Sequence, residues 1–202
     1  MLFGLNKEQF KSKIFTVYCV AVLIQNILAV KNIDVLMFSV TTGILVSPIV
    51  FTMQDVSSEL YGFKETKKMI IFAYFMNLLM IIFTSLAMII PKAEYYQNQE
   101  AFEAIFGTTP RIVVSSFIAY MTGSIINSKI MTSMKKRNNL FIRAITSTLV
   151  GQLLDNFVFC YLAFIGVLSL QQILSMTIGA TIVEVLYEII IYPIVKKIIN
   201  KY

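Results

Sequence analysis

The sequence contains no histidine among its 202 residues, and only 14% of those residues are charged. The missing histidine removes the commonest metal ligand and the side chain that most often moves protons near neutral pH. The two cysteines, Cys19 and Cys160, show no CxxC spacing and each lies within an apolar run, so both read as small packing residues. There is no HExxH, no GxSxG and no glycine-rich loop to cradle a phosphate. The YD and GxGD motifs of an intramembrane aspartyl protease are absent too. These gaps point away from an enzyme and leave no expected metal or cofactor. There is also no low-complexity stretch and no soluble domain, so residues 1–202 read as a single domain.

What the chain has in excess is apolar surface. Apolar residues make up 57% of it, against about 45–50% in a soluble domain, where about 25% of residues are charged. A chain of this kind cannot cover itself with polar groups in water, and the excess must face lipid. The net charge of +6 would raise nucleic acid as a partner in a soluble protein. Here the basic residues sit in short clusters between apolar runs, which favours membrane orientation and excludes a nucleic-acid role.

A helix needs about 20 mostly apolar residues to cross the hydrocarbon core. Six stretches qualify: 14–30, 35–53, 69–90, 112–131, 144–168 and 173–194. The expected fold is therefore an all-α integral membrane protein with six transmembrane helices. Lys7, Lys11 and Lys13 ahead of the first run imitate a signal peptide, but its length and the five runs behind it predict a retained span. With the N-terminus inside, Lys7, Lys11, Lys13, Lys64, Lys67, Lys68, Lys129, Lys135, Lys136, Arg137, Arg143, Lys196, Lys197 and Lys201 fall on the cytoplasmic side. Only Lys31, Lys92 and Arg111 fall outside. That asymmetry places both termini in the cytoplasm of a bacterial inner or plasma membrane. In the 91–110 connection, Phe102, Ile105 and Phe106 share a helical face, which predicts a short helix lying in the interface.

The informative residues are the polar ones inside the spans, because a charge near the bilayer centre costs at least about 2.5–3.5 kcal/mol on insertion scales. Thr148, Gln152, Asp155 and Phe159 follow steps of four, three and four and so share one helix face. Thr177, Thr181, Glu184 and Glu188 repeat those steps in the last span, where two buried carboxylates one turn apart resist ionising together. Ser116, Tyr120, Gly123 and Asn127 share a face of span four, with Arg111 at its outer mouth. Pro48 stands in the middle of span two, ahead of Asp55 and Glu59, and broken helices at membrane depth line cavities. Span one adds Gln25 and Asn26, and span three adds Asn77. For Asn26, Asn77, the serines and the threonines the plainer reading is helix-to-helix adhesion. For Asp55 and Glu59 it is a solvated loop paired with Lys64 or Lys67. For Asp155, Glu184 and Glu188 a functional role is the default.

Several segments resemble the queuosine precursor transporter family, also called the VUT family. In SPIVFTMQDVSSELYGFKETKK the matching positions are Pro48, Phe51, Asp55, Glu59, Tyr61 and Gly62. In AFEAIFGTTPRIVVSSFIAY they are Phe102, Phe106, Gly107, Pro110, Arg111 and Ser116, and in RAITSTLVGQLLDNFVF they are Arg143, Ser147, Thr148, Gln152, Asp155 and Phe159. YEIIIYP, residues 187–193, resembles the family's last span. Two positions depart from the pattern: Glu184 stands where a Lys is common, and Asn127 where an Asp is often found. The resemblance implies import of 7-deazaguanine bases such as preQ0, preQ1 or queuine, used to make the tRNA nucleoside queuosine. It implies a substrate site among Asp55, Glu59, Arg111, Ser116, Asn127, Arg143, Gln152, Asp155, Glu184 and Glu188. One carboxylate, Asp155 or Glu184, can accept the ring N–H and exocyclic amine of such a base together. Gln152 or Asn127 can meet its carbonyl edge, and Tyr120 or Phe159 can stack on the ring. The family is also similar in size and span number to substrate-binding subunits of energy-coupling-factor transporters, which implies a competing reading with partner ATPases. A homodimer is left open.

Overall fold

A computed structural model of the chain describes residues 6–35, 38–107, 109–136 and 139–200. Of the basic residues used for orientation, Arg137 and Lys201 lie outside the described residues. Helix α1 (Lys7–Leu28) is followed by strands β1 (Asn32–Val35) and β2 (Phe38–Thr41). Then come α2 (Ser47–Leu60), α3 (Phe63–Ile89), the short α4 (Gln99–Phe106), α5 (Thr109–Ser133), α6 (Leu140–Phe164) and α7 (Leu170–Ile199). Local chemistry sets the starts. Asn6 with Gln9 and Ser169 with Gln172 form capping boxes at α1 and α7, and Asn139 caps α6 by accepting from the Ile142 amide. Gly62, at φ 82°, takes the left-handed conformation that lets the chain reverse between α2 and α3.

Five helices among the described residues, α1, α3, α5, α6 and α7, are long and apolar enough to cross a membrane. The predicted second span, 35–53, is not one helix. Its first half is the antiparallel β1–β2 hairpin, paired from Asn32–Thr41 to Val35–Phe38, and a single 3₁₀ turn, Thr42–Leu45, leads into α2. Pro48 therefore does not break a helix at mid-run; it sits in the first turn of α2, where a missing N–H costs nothing. With 14 residues, α2 spans about 21 Å, short of a hydrocarbon core of about 30 Å. Hairpin, turn and α2 together make the return journey. The Thr42 amide and hydroxyl bond to Lys31 and Leu28 beside the end of α1, while Tyr61, after α2, donates to the Lys7 carbonyl at the start of α1.

The same bonds define two ends of the bundle. One gathers Lys7, Lys11, Glu59, Glu65, Lys68, Lys135 and Arg143, with Lys11–Glu65 at 2.7 Å and Arg143–Glu59 at 2.9 Å. At the other, Arg111 donates to the carbonyls of Leu162 and Ile165. The interior is unusually polar, and large apolar side chains such as Phe72, Phe75, Leu78 and Phe83 of α3 point outward, as a lipid-facing surface requires. Helix α3 buries Thr66, Met69, Ile70, Ala73, Tyr74 and Asn77, a single stripe at steps of three and four. The tightest crossing joins α5 and α6. A methyl at Gly123 would sit 2.5 Å from Asp155 Cβ and 2.7 Å from the Gly151 carbonyl, and one at Gly151 would sit 2.8 Å from Asn127 Cβ. Small residues let these backbones meet. Helix α4 forms as expected, with the Phe102 and Phe106 rings 4.8 Å apart.

Candidate functional site

Two groups of polar side chains stand at different depths in the bundle. The first lines a cavity of about 50 Å³ beneath the hairpin. Its walls carry Gln25 and Asn26 from α1, Ser47 from α2, Ser116 from α5, Asp155, Asn156 and Phe159 from α6, and Glu184 from α7. Glu184 is anchored: Asn156 donates to it at 2.7 Å and Ser47 at 3.4 Å, while Asn156 also donates to Thr181 at 3.2 Å. Ser116, Asn26 and Asn77 form a closed chain, with Ser116 donating to Asn26 at 2.9 Å and Asn26 to Asn77 at 2.5 Å. By contrast, Asp155 Oδ1 and Gln25 Oε1 are buried acceptors with no partner. The cavity thus offers two free acceptors, an anchored carboxylate and an aromatic edge. Such a lining suits a ligand that donates N–H bonds from a flat ring. Its volume holds a few waters, so a ring-sized ligand requires the walls to part.

The second group lies toward the end that holds Lys7 and Arg143. Asp55 of α2 and Glu188 of α7 are side-chain neighbours, with Asn127 of α5 beside Asp55 and Thr148 of α6 beside Glu188. All four are buried. Both oxygens of Asp55, both amide atoms of Asn127, the Thr148 hydroxyl and Glu188 Oε1 lack a partner. Glu59 closes this region toward the end of the bundle, held by Arg143 at 2.9 Å and Lys135 at 3.5 Å. Asp55 and Glu59 therefore do not form a solvated loop paired with Lys64 or Lys67. Asp55 is fully buried, and Glu59 takes its cations from α6 and from Lys135.

Of the ten residues singled out from the sequence, Ser116, Asp155 and Glu184 line the cavity. Asp55, Asn127 and Glu188 form the deeper group, with Glu59 and Arg143 at its edge. Gln152 is buried with Oε1 unpartnered, one turn from both Thr148 and Asp155 on α6. Arg111 joins neither group; it caps the α6 carbonyls at the opposite end. Tyr120 does not line the cavity, its ring packing against Tyr74 at 5.0 Å and Tyr18 at 6.2 Å, whereas Phe159 does. Asn26, Asn77 and Ser116 are joined across helices, as expected, although Asn26 and Ser116 also face the cavity. Sequence reasoning missed Asn156, Ser47 and Gln54. Gln54 accepts from Tyr18 and donates to the Ser124 carbonyl, both at 3.3 Å, tying α1, α2 and α5. The available signal was simply a polar amide or hydroxyl inside an apolar run. Among the described residues, no three His, Cys, Asp or Glu side chains converge as a metal centre requires.

Residues 41–198 match the family model described as "Putative vitamin uptake transporter". A "Probable queuosine precursor transporter" of Bacillus subtilis is 24% identical over 177 residues, covering 86% of this chain and 77% of that protein. One of the same name from Haemophilus influenzae is 24% identical over 127 residues, covering 63% of this chain and 53% of the relative. A "Queuosine precursor transporter" of Escherichia coli is 25% identical over 142 residues, covering 69% and 62%. No solved structure matches the chain.

Proposed function

We propose that this chain, which belongs to the "Putative vitamin uptake transporter" family, is a multi-pass membrane transporter of queuosine precursors and not an enzyme. The observation that carries the reading is the cavity under the hairpin. It combines Asp155 and Gln25 as free acceptors, Glu184 held by Asn156, and Phe159. A 7-deazaguanine base carries a ring N–H beside an exocyclic amine, and one carboxylate accepts both in a charge-assisted pair. Asp155 is the residue assigned that role, since Glu184 already has two partners. Gln25 takes a further donor, and Phe159 packs on the ring. The aminomethyl group of preQ1 is cationic and is favoured by the two acids. The names of the relatives in three bacteria support the substrate class. They give no specific support to an energy-coupling-factor subunit with partner ATPases.

The test is growth of a bacterial strain unable to make queuosine on limiting preQ0, preQ1 or queuine, with and without this gene. The readout is queuosine in tRNA. Modification restored by the gene supports import; modification that is the same with and without it contradicts the proposal.

A further inference from the structure

Among the described residues, the deeper group holds more acids than cations. Asp55 and Glu188 are side-chain neighbours in the interior, and Glu59 lies one turn from Asp55 on α2. Facing these three acids are two cations, Arg143 of α6 and Lys135 beyond α5, and both are engaged with Glu59. Among the described residues, no other cation forms an ion pair with these acids. Helix α1 brings Tyr18, which is bound to Gln54. Helix α7 adds Glu184 farther along, and α6 adds Asp155 at the cavity. Helix α3 places Tyr74 beside Tyr120.

Polar side chains gather at the same spot. Asn127 stands beside Asp55, Thr148 beside Glu188, and the two acids beside each other; both Asp55 oxygens, Glu188 Oε1 and the Thr148 hydroxyl are buried without a well-formed hydrogen bond, and Asp55, Asn127 and Thr148 are wholly inaccessible. Buried polar groups without a well-formed partner are costly, and charged ones more so, so a ligand that pairs these groups stabilises the fold. Two carboxylates with neutral oxygen donors on adjoining helices suit one small, singly charged cation. We propose that Asp55 and Glu188, with Asn127 and Thr148, bind a single monovalent cation, a proton or a sodium ion, at a site separate from the substrate cavity. Helix α7 carries both sites, with Glu184 and Glu188 one turn apart, so occupancy of one reaches the other along a single rigid element. Coupling of that cation to transport rests on the proposed function; cation binding itself does not.

The experiment is thermal denaturation of the purified full-length protein in detergent. Sodium chloride is titrated against choline chloride at fixed alkaline pH, and pH is varied in choline alone. A ligand of the folded state raises the midpoint. The expected result is a rise of several degrees in one arm: with sodium if the ion is Na⁺, or with falling pH alone if it is a proton. Asp55→Asn and Glu188→Gln remove that response, and Asn127→Ala moves the half-effective concentration by at least tenfold. A wild type indifferent to both arms, or a double acid variant that keeps the full response, overturns the site. Should the acid variants fail to fold, Asn127→Ala decides, an unshifted response counting against the proposal. Absent uptake of labelled preQ1 in liposomes would count against the transport reading alone, because the stability response uses no base.

Discussion

Asp155 and Glu184 reach the same cavity from neighbouring helices with different commitments. Glu184 holds Asn156 and Ser47 in place, while Asp155, which also lines the cavity, keeps one buried oxygen with no partner. Asp155→Asn is therefore expected to abolish uptake while membrane levels, read by immunoblot, stay normal, and normal uptake by that variant would remove Asp155 from binding. Arg143 makes a different prediction. It is 4% exposed and its partner Glu59 is mostly buried, so Arg143→Gln leaves Glu59 with Lys135 alone and is destabilising by about 1–3 kcal/mol. Adding Glu59→Gln should recover part of that in a detergent melt, because the under-compensated charge is gone; a double variant no better than the single would sink this account. The acids were legible in sequence because intramembrane charge stands out. Asn156 was not, since it lies one position off the Thr148–Gln152–Asp155–Phe159 face and matters only once α7 brings Glu184 and Thr181 to it.

At the scale of elements, the length of the apolar runs located the five long helices, and the hairpin escaped it. Residues 35–53 are apolar enough to imitate a span, and a short apolar run does not by itself separate strand from helix. Two glycines seat the hairpin and its turn: a methyl at Gly179 would meet the Phe38 side chain at 2.4 Å, and one at Gly43 the Gln25 carbonyl at 2.9 Å. Gly179→Leu is expected to dislodge the hairpin and lower uptake severalfold while helical content by circular dichroism holds. Uptake equal to wild type would mean the hairpin has no part in closing the cavity. The α5–α6 crossing is less forgiving. Gly123→Ala forces a methyl against the Gly151 carbonyl and should cost about 1–3 kcal/mol, seen as a lower melting midpoint. The shared face on α6 was read correctly as a face, but not as two sites. The eleven residue steps from Thr148 to Phe159 cover about 16 Å of helix, enough to serve the deeper acid pair at one end and the cavity at the other.

Across the whole molecule, lysines and arginines gather at one end, with Arg111 opposite, and the interior between them is lined by acids and amides inside an apolar shell. The charge asymmetry predicts cytoplasmic termini: a green fluorescent protein fused after residue 202 should fluoresce, and a dark fusion at normal expression would reverse the orientation. A narrow cavity beneath a hairpin fits a closed conformation of a carrier for a flat, N–H-donating base. The most direct test of that claim is equilibrium binding of radiolabelled preQ1 to the purified protein in detergent, with preQ0 and queuine as competitors. The account predicts saturable binding that at least one competitor displaces and that Asp155→Asn weakens at least about tenfold, or ~1.4 kcal/mol. No saturable binding, or the same affinity in Asp155→Asn, would contradict it.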